Sequence, residues 1–142
     1  MKKYKIGYTC GVFDVFHVGH LNLIERCKEQ CEKLIIGVCD DEYVRNIKNK
    51  EPVYSQDERV RILKALKAVD DAVLVTIEET EDKFLAHAKI GFDVLFSGDD
   101  WKGTERYIKT EEQFAKLGVS IEYFPYTQGI STTQIKEQLK NK

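Results

Sequence analysis

The chain has 142 residues, 42% hydrophobic and 32% charged, with a formal net charge of −2. That length holds one core and not two, the composition excludes a disordered chain, and the charge excludes a global positive field drawing the protein to nucleic acid or an anionic membrane. Its longest apolar runs, such as LIIGVC, are too short to span a bilayer, and MKKYKIGYTCG carries no apolar leader core, so a single cytoplasmic domain over residues 1–142, with no membrane insertion, is expected.

The chain opens on KIGYT, an apolar β-rich run that passes through a glycine turn into HLNLIERCKEQC. There Leu21, Ile24, Cys27 and Cys31 fall on one helical stripe. KLIIGVC is a continuous apolar run of the kind found in a strand buried on both faces. DDEYVRNIK reads as a short helix capped by Asp40, and NKEPVY, with Pro52, as a loop. SQDERVRILKALKAV opens with a capping box, Ser55 and Glu58, and carries the stripe Val60, Leu63, Leu66 and Val69. DAVLVT is a strand, TEDKFLAHAKIG a helix ending at Gly91, FDVLFSG a strand and TERYIKTEEQFAKLG a helix ending at Gly118. VSIEYFP is a strand stopped by Pro125, and STTQIKEQLKNK a last helix with Ser131 or Thr132 near its cap. Five strands alternating with helices predict an α/β fold: a Rossmann-like, doubly wound parallel sheet with helices on both faces. Such a sheet binds ligands outside the C-terminal ends of its strands.

The segments at that edge are TCGVFDVFHVGH, CDDEY, VTIEET, SGDDWKG and YTQGISTT. Two of the chain's 3 histidines, His17 and His20, flank Val18 and Gly19 at a helix start. A helix N-terminus offers free N–H groups to an anion, and two imidazoles add donors; the alternative is one loop histidine and one capping histidine. GISTTQIK places a glycine and three hydroxyl residues ahead of another helix, which suits an anion or is a redundant N-cap. Asp99 and Asp100 can hold Mg²⁺, bind ribose or cap a helix, and Trp101 can stack on a ligand or cover the core. RNIKNK offers Arg45, Lys48 and Lys50 on a loop, Arg59 and Arg61 lie on opposite sides of their helix, and Asp70 sits at a helix-to-strand turn. The 4 cysteines, Cys10, Cys27, Cys31 and Cys39, lack zinc-knuckle spacing and continue apolar patterns, so they are expected to be buried free thiols. His87 is expected to be structural.

GVFDVFHVGH, followed in order by IIGVCDDEYV, ERVRILKALKAVDDAV, FSGDDWKG and GISTTQIK, resembles the small cytidylyltransferases of the HxGH nucleotidyltransferase superfamily, and among them the bacterial glycerol-3-phosphate cytidylyltransferases. The resemblance runs from Tyr8 to Lys136. It implies CTP bound with Mg²⁺, and direct in-line attack of a phosphorylated alcohol, such as glycerol-3-phosphate, on the α-phosphate, with CDP-glycerol and pyrophosphate as products. It implies catalytic roles for His17, His20, Lys48 and Arg59. Nucleotide-binding roles follow for Thr9, Gly11, Phe13, Asp14, Gly19, Asp70, Asp99, Thr127, Gly129, Ile130, Ser131, Thr132 and Thr133; no metal ligand is assigned. It further implies small-molecule substrates, no nucleic-acid partner, and a homodimer.

One departure stands out. The family's RTEGIST carries an arginine, and here YTQGIST has Tyr126 and Gln128, which bear no charge. Arg45, Arg59 and Lys102 are the candidate replacements. Cytidylyl or adenylyl transfer to another acceptor (phosphocholine, phosphoethanolamine, a sugar phosphate or FMN) and a non-catalytic nucleotide-binding domain remain as alternatives.

Overall fold

The computed structural model describes residues 2–125 and 132–140. Strand β1 (Tyr4–Gly11) leads to helix α1 (Val18–Gln30), which passes directly into β2 (Cys31–Cys39). Helices α2 (Asp41–Asn46) and α3 (Gln56–Lys64) precede β3 (Asp71–Val75), and α4 (Ile77–Glu81) and α5 (Lys83–Ile90) precede β4 (Val94–Gly98). A 3₁₀ turn (Asp99–Trp101), α6 (Glu105–Ala115), β5 (Ser120–Phe124) and α7 (Thr132–Lys140) follow. The strands form a five-stranded sheet in the order β3-β2-β1-β4-β5, with every neighbouring pair parallel. The expected α/β architecture is therefore present, and the winding direction reverses between β1 and β4.

Period-two alternation divides the core. Leu34, Ile36 and Val38 of β2 join Ile24, Cys27 and Leu63 on one face of the sheet. Ile35 packs on the other face, against a cluster of Tyr8, Ala86, Phe92, Leu95 and Phe114. Tyr8 lies flat on Phe92, with ring centroids 4.8 Å apart. The phenol end of Tyr8 passes over Gly37, where a Cβ would come within 2.1 Å of its oxygen.

Two elements differ from the sequence reading. The middle helix stops at Lys64 rather than Val69, because Ala65, Leu66 and Val69 donate to carbonyls three residues back and the chain tightens into turns. Leu66 and Val69 still reach the first core, so the apolar spacing outlasts the helix. The segment before β4 is two helices rather than one. Thr76 and Glu79 form an unforeseen capping box for α4, and Asp82, extended at φ −115°, ψ 101°, ends α4 and caps α5.

The β1 ladder is unequal on its two sides. It pairs with β2 from Tyr4 to Gly11, but with β4 only at Gly7↔Val94 and Tyr8↔Leu95. Past that point the Thr9 hydroxyl, donating to the Phe96 carbonyl at 3.1 Å, ties the two strands together. The C-terminal ends of β1 and β4 then part, and the crevice of the doubly wound sheet opens between them.

Gly37→Ala is expected to destabilise the protein by about 1–3 kcal/mol through overpacking against Tyr8. In a Tyr8→Leu background, urea denaturation should show most of that loss gone; equal losses in both backgrounds would refute the contact.

Candidate active site

A cavity of about 480 Å³ fills the crevice. Thr9, Cys10 and Gly11 form its β1 wall, and Phe96, Ser97 and Gly98 its β4 wall. Phe13 and His20 border it from the segment after β1, as do Lys48, after α2, and Trp101. Gly11 is sterically required, since a Cβ there would meet the Phe13 ring at 2.9 Å.

The loop leaving β1 is backbone-strained. Phe13 and Val15 sit in the left-handed region at φ 55° and 48°, and a β-branched residue there costs on the order of 1–3 kcal/mol. Asp14, between them, holds the strain in place. Its carboxylate, 5% exposed, accepts the N–H groups of Val15 (3.1 Å), Tyr54 (2.9 Å) and Val53 (2.7 Å), with Lys136 Nζ 3.8 Å away. Asp14 thus turns its carboxylate onto backbone amides of the chain. It anchors the segment carrying Val53 and Tyr54 beneath the loop.

His17 caps α1 with its own ring, and His20 completes the box. The Gly19 N–H donates to His17 Nδ1 at 3.0 Å, and the His17 N–H donates to His20 Nδ1 at 3.2 Å. The rings stack with centroids 3.9 Å apart, and His20 also packs against Phe13 and Phe16. Because each Nδ1 accepts a hydrogen bond, the neutral ring carries its proton on Nε2. Burial lowers the pKa of His17, and burial followed by the charge of His17 lowers that of His20 to about 4. Both are neutral donors near pH 7. The Gly19 and His20 amides of the first helical turn are thus engaged by His17, so imidazole N–H groups join or replace the free amides first expected as donors to an anion.

Other predicted residues separate into those at the crevice and those away from it. Thr9, Gly11, Phe13, His20 and Lys48 line it, and Gly19 lies in the first turn of α1. Asp99 starts the 3₁₀ turn at the correct edge, exposed and outside the cavity lining. Thr132 donates its hydroxyl to the Asp14 carbonyl at 2.9 Å, which draws the start of α7 onto the β1–α1 loop; Thr133 is exposed beside it. Thr127, Gly129, Ile130 and Ser131, with Tyr126 and Gln128, lie outside the described residues.

Arg59 and Asp70 require correction. Arg59 is 0% exposed, and its guanidinium donates to the carbonyls of Tyr54 (3.1 Å), Val12 (2.9 Å) and Cys39 (2.6 Å) and to Asp41 (2.6 Å). Four of its five N–H groups are engaged inside the protein, so it positions the site rather than touching phosphate. Asp70 precedes β3 and so lies at the opposite edge of the sheet, where it accepts from Lys28 and from the Leu34 N–H, both at 2.7 Å. It is a structural cap.

None of the candidate replacements for the missing arginine lines the cavity. Arg45 pairs with Glu51, Arg59 is buried, and Lys102 sits over the Tyr123 ring. The cations that do line it are Lys48, Lys83 and Arg106. Lys83 and Arg106 were not foreseen, because each lies in the first turn of an ordinary surface-patterned helix; Arg106 is steered by Glu81, 3.7 Å away. The four cysteines are free thiols, but Cys10 is partly exposed and opens into the cavity rather than being buried as expected. Among the described residues no group of three His, Cys, Asp or Glu side chains is arranged to hold a metal ion, and no helix is long and apolar enough to cross a membrane.

Residues 8–138 match the family model described as cytidylyltransferase-like. The chain is 33% identical over 132 residues to the glycerol-3-phosphate cytidylyltransferase of Bacillus subtilis, covering 92% of this chain and 94% of that one. It is 36% identical over 131 residues to the enzyme of the same name from Bacillus spizizenii, with the same coverage. Among solved structures, the lipopolysaccharide core biosynthesis protein of Thermoplasma volcanium superposes with a TM-score of 0.70 at 25% identity, covering 87% of this chain and 97% of that one.

Two measurements test this geometry. Arg59→Ala should cost about 3–5 kcal/mol of stability by leaving Asp41 and three carbonyls without their buried partner; a variant that unfolds at the wild-type urea midpoint would place Arg59 elsewhere. The depressed pKa of His20 means that between pH 6.5 and about 4 the unfolded chain binds a proton that the folded chain does not. Wild-type stability should therefore fall as pH drops through that window, and His20→Gln should lack this component. Parallel stability curves for the two proteins would refute it.

Proposed function

The chain belongs to the cytidylyltransferase-like family, and from that premise we propose that it transfers CMP from CTP to glycerol-3-phosphate, giving CDP-glycerol and pyrophosphate. The observation that carries this reading is the stacked pair His17 and His20, each accepting at Nδ1 so that Nε2 holds the proton, with His20 on the wall of the β1–β4 crevice and His17 stacked on it. An oxygen of the acceptor phosphate attacks the α-phosphorus, and the bond to the pyrophosphate oxygen breaks on the opposite side. No protein nucleophile is needed, because such transfers depend on positioning and charge stabilisation. Two neutral imidazole donors suit the α-phosphoryl oxygens as their charge grows, and Lys48, Lys83 and Arg106 suit the rest of the triphosphate.

Mg²⁺ enters in this reading as part of the Mg–CTP substrate, consistent with an ion held chiefly by phosphates and water. We place the reaction in the cytoplasm, in a homodimer, as a source of activated glycerol for a cell-wall or capsular polymer. Length agreement supports the choice of acceptor: the two named cytidylyltransferases are each covered over 94% of their length.

Purified protein given each nucleoside triphosphate, Mg²⁺ and a panel of phospho-alcohols should release pyrophosphate with CTP and glycerol-3-phosphate. His17→Ala and His20→Ala should each lower kcat about 10²–10³-fold while remaining folded. Turnover with ATP alone would replace CTP in the reading, and unchanged rates in both variants would remove the histidines from the chemistry.

A further inference from the structure

Tyr8, Cys10 and Cys39 meet on the face of the sheet covered by α4 and α5. Cys10 Sγ lies 3.7 Å from Cys39 Sγ, and the Thr80 hydroxyl is 3.7 Å from Cys39 Sγ. Lys83 Nζ is held beside them by donating to the Thr80 carbonyl at 2.7 Å. Tyr8 is 0% exposed, and its hydroxyl has no hydrogen-bond partner. Both cysteines border the cavity, Cys39 only 2% exposed and Cys10 partly exposed. Lys83 also faces the triphosphate in the reading above; the tyrosine, the threonine and the two cysteines have no part in it.

We propose that Cys10 is a covalent modification site, a nucleophilic sulfur facing the crevice that reacts with soft electrophiles, hydrogen peroxide among them, and whose modification blocks nucleotide entry. The surroundings are those of an activated thiol: a second thiol in contact, a lysine nearby and a buried hydroxyl otherwise without an acceptor. A buried hydroxyl without a partner is costly, and a thiolate is a better acceptor for it than a thiol. The hydrogen bond from Cys39, aided by Lys83 and opposed by burial, lowers the pKa of Cys10 to about 6, while the same contact raises that of Cys39. Of the two sulfurs in contact, Cys10 is thus the more nucleophilic and the more exposed.

Strand register decides the product. Cys10 is opposite Gly37, two residues before Cys39. A rise of about 3.3 Å per residue and a strand spacing of about 4.8 Å separate the two Cα atoms by roughly 8 Å. A disulfide needs at most about 7 Å, so Cys39 serves as proton donor and not as a bonding partner. With peroxide, Cys10 sulfur bonds to one oxygen as the O–O bond breaks, and the other oxygen leaves as hydroxide, which solvent protonates to water. Sulfur loses two electrons, the peroxide gains them, and a sulfenic acid remains.

The test is limiting N-ethylmaleimide at pH 7 on the folded protein, followed by peptide mapping. Cys10 should be labelled first, at least about ten-fold faster than Cys27, Cys31 or Cys39, and Lys83→Met should slow it several-fold. Peroxide should give a dimedone-trapped sulfenic acid on Cys10. Even labelling of the four cysteines, an unchanged rate in Lys83→Met, or a Cys10–Cys39 disulfide as the peroxide product each overturns the proposal. Labelled protein should also lose CTP binding by calorimetry, an arm that rests on the crevice being the CTP site. CTP binding unchanged by labelling overturns the block, whereas unlabelled protein that fails to bind CTP sinks the functional reading and leaves the labelling order to decide the thiol.

Discussion

The buried guanidinium of Arg59 is the constraint on which the upper edge of the sheet depends. It ties the chain just past β1 to the end of β2, to the segment before α3 and to α2, through three carbonyls and one carboxylate. Removing a full charge from water costs several kcal/mol, and only this dense set of acceptors makes its burial tolerable. The consequence is rigidity where the chain has little regular structure. It also leaves the positive charge around the crevice to Lys48, Lys83 and Arg106.

A second ordering follows from the first. With the segment before α3 fixed, Asp14 can bury its carboxylate against Val53 and Tyr54 and hold Phe13 and Val15 in conformations they would otherwise avoid. That turn delivers His17 to the helix start, where ring and backbone cap each other. The carboxylate is thereby turned onto backbone amides, and the two imidazoles beside it are neutral donors. Neutral donors lose little on desolvation and tighten as charge develops, which suits a transition state more than a ground state.

The fold was legible because a strand covered on both faces is a continuous apolar run and each helix keeps one apolar stripe. KLIIGVC and DAVLVT could hardly be anything else. Within the site, the histidines were legible from residue type and spacing, and Lys48 only through the family resemblance. Arg59 was not, since an arginine that binds phosphate and one that binds carbonyls look alike in sequence; only its opposition to Arg61 on the helix hinted that one of the two turns inward. Asp70 was misplaced although chain order held the answer: a residue entering a parallel strand lies at the edge opposite to one leaving it. Lys83 and Arg106 reach the crevice through tertiary path alone, and the left-handed turn at Phe13 and Val15 had no glycine to announce it.

The hydroxyl of Thr132 and the carbonyl of Asp14 are 118 residues apart in sequence and in contact in space. The first loop of the fold and helix α7 are thereby fastened together, so a change near either end of the sequence acts on the same place in the molecule.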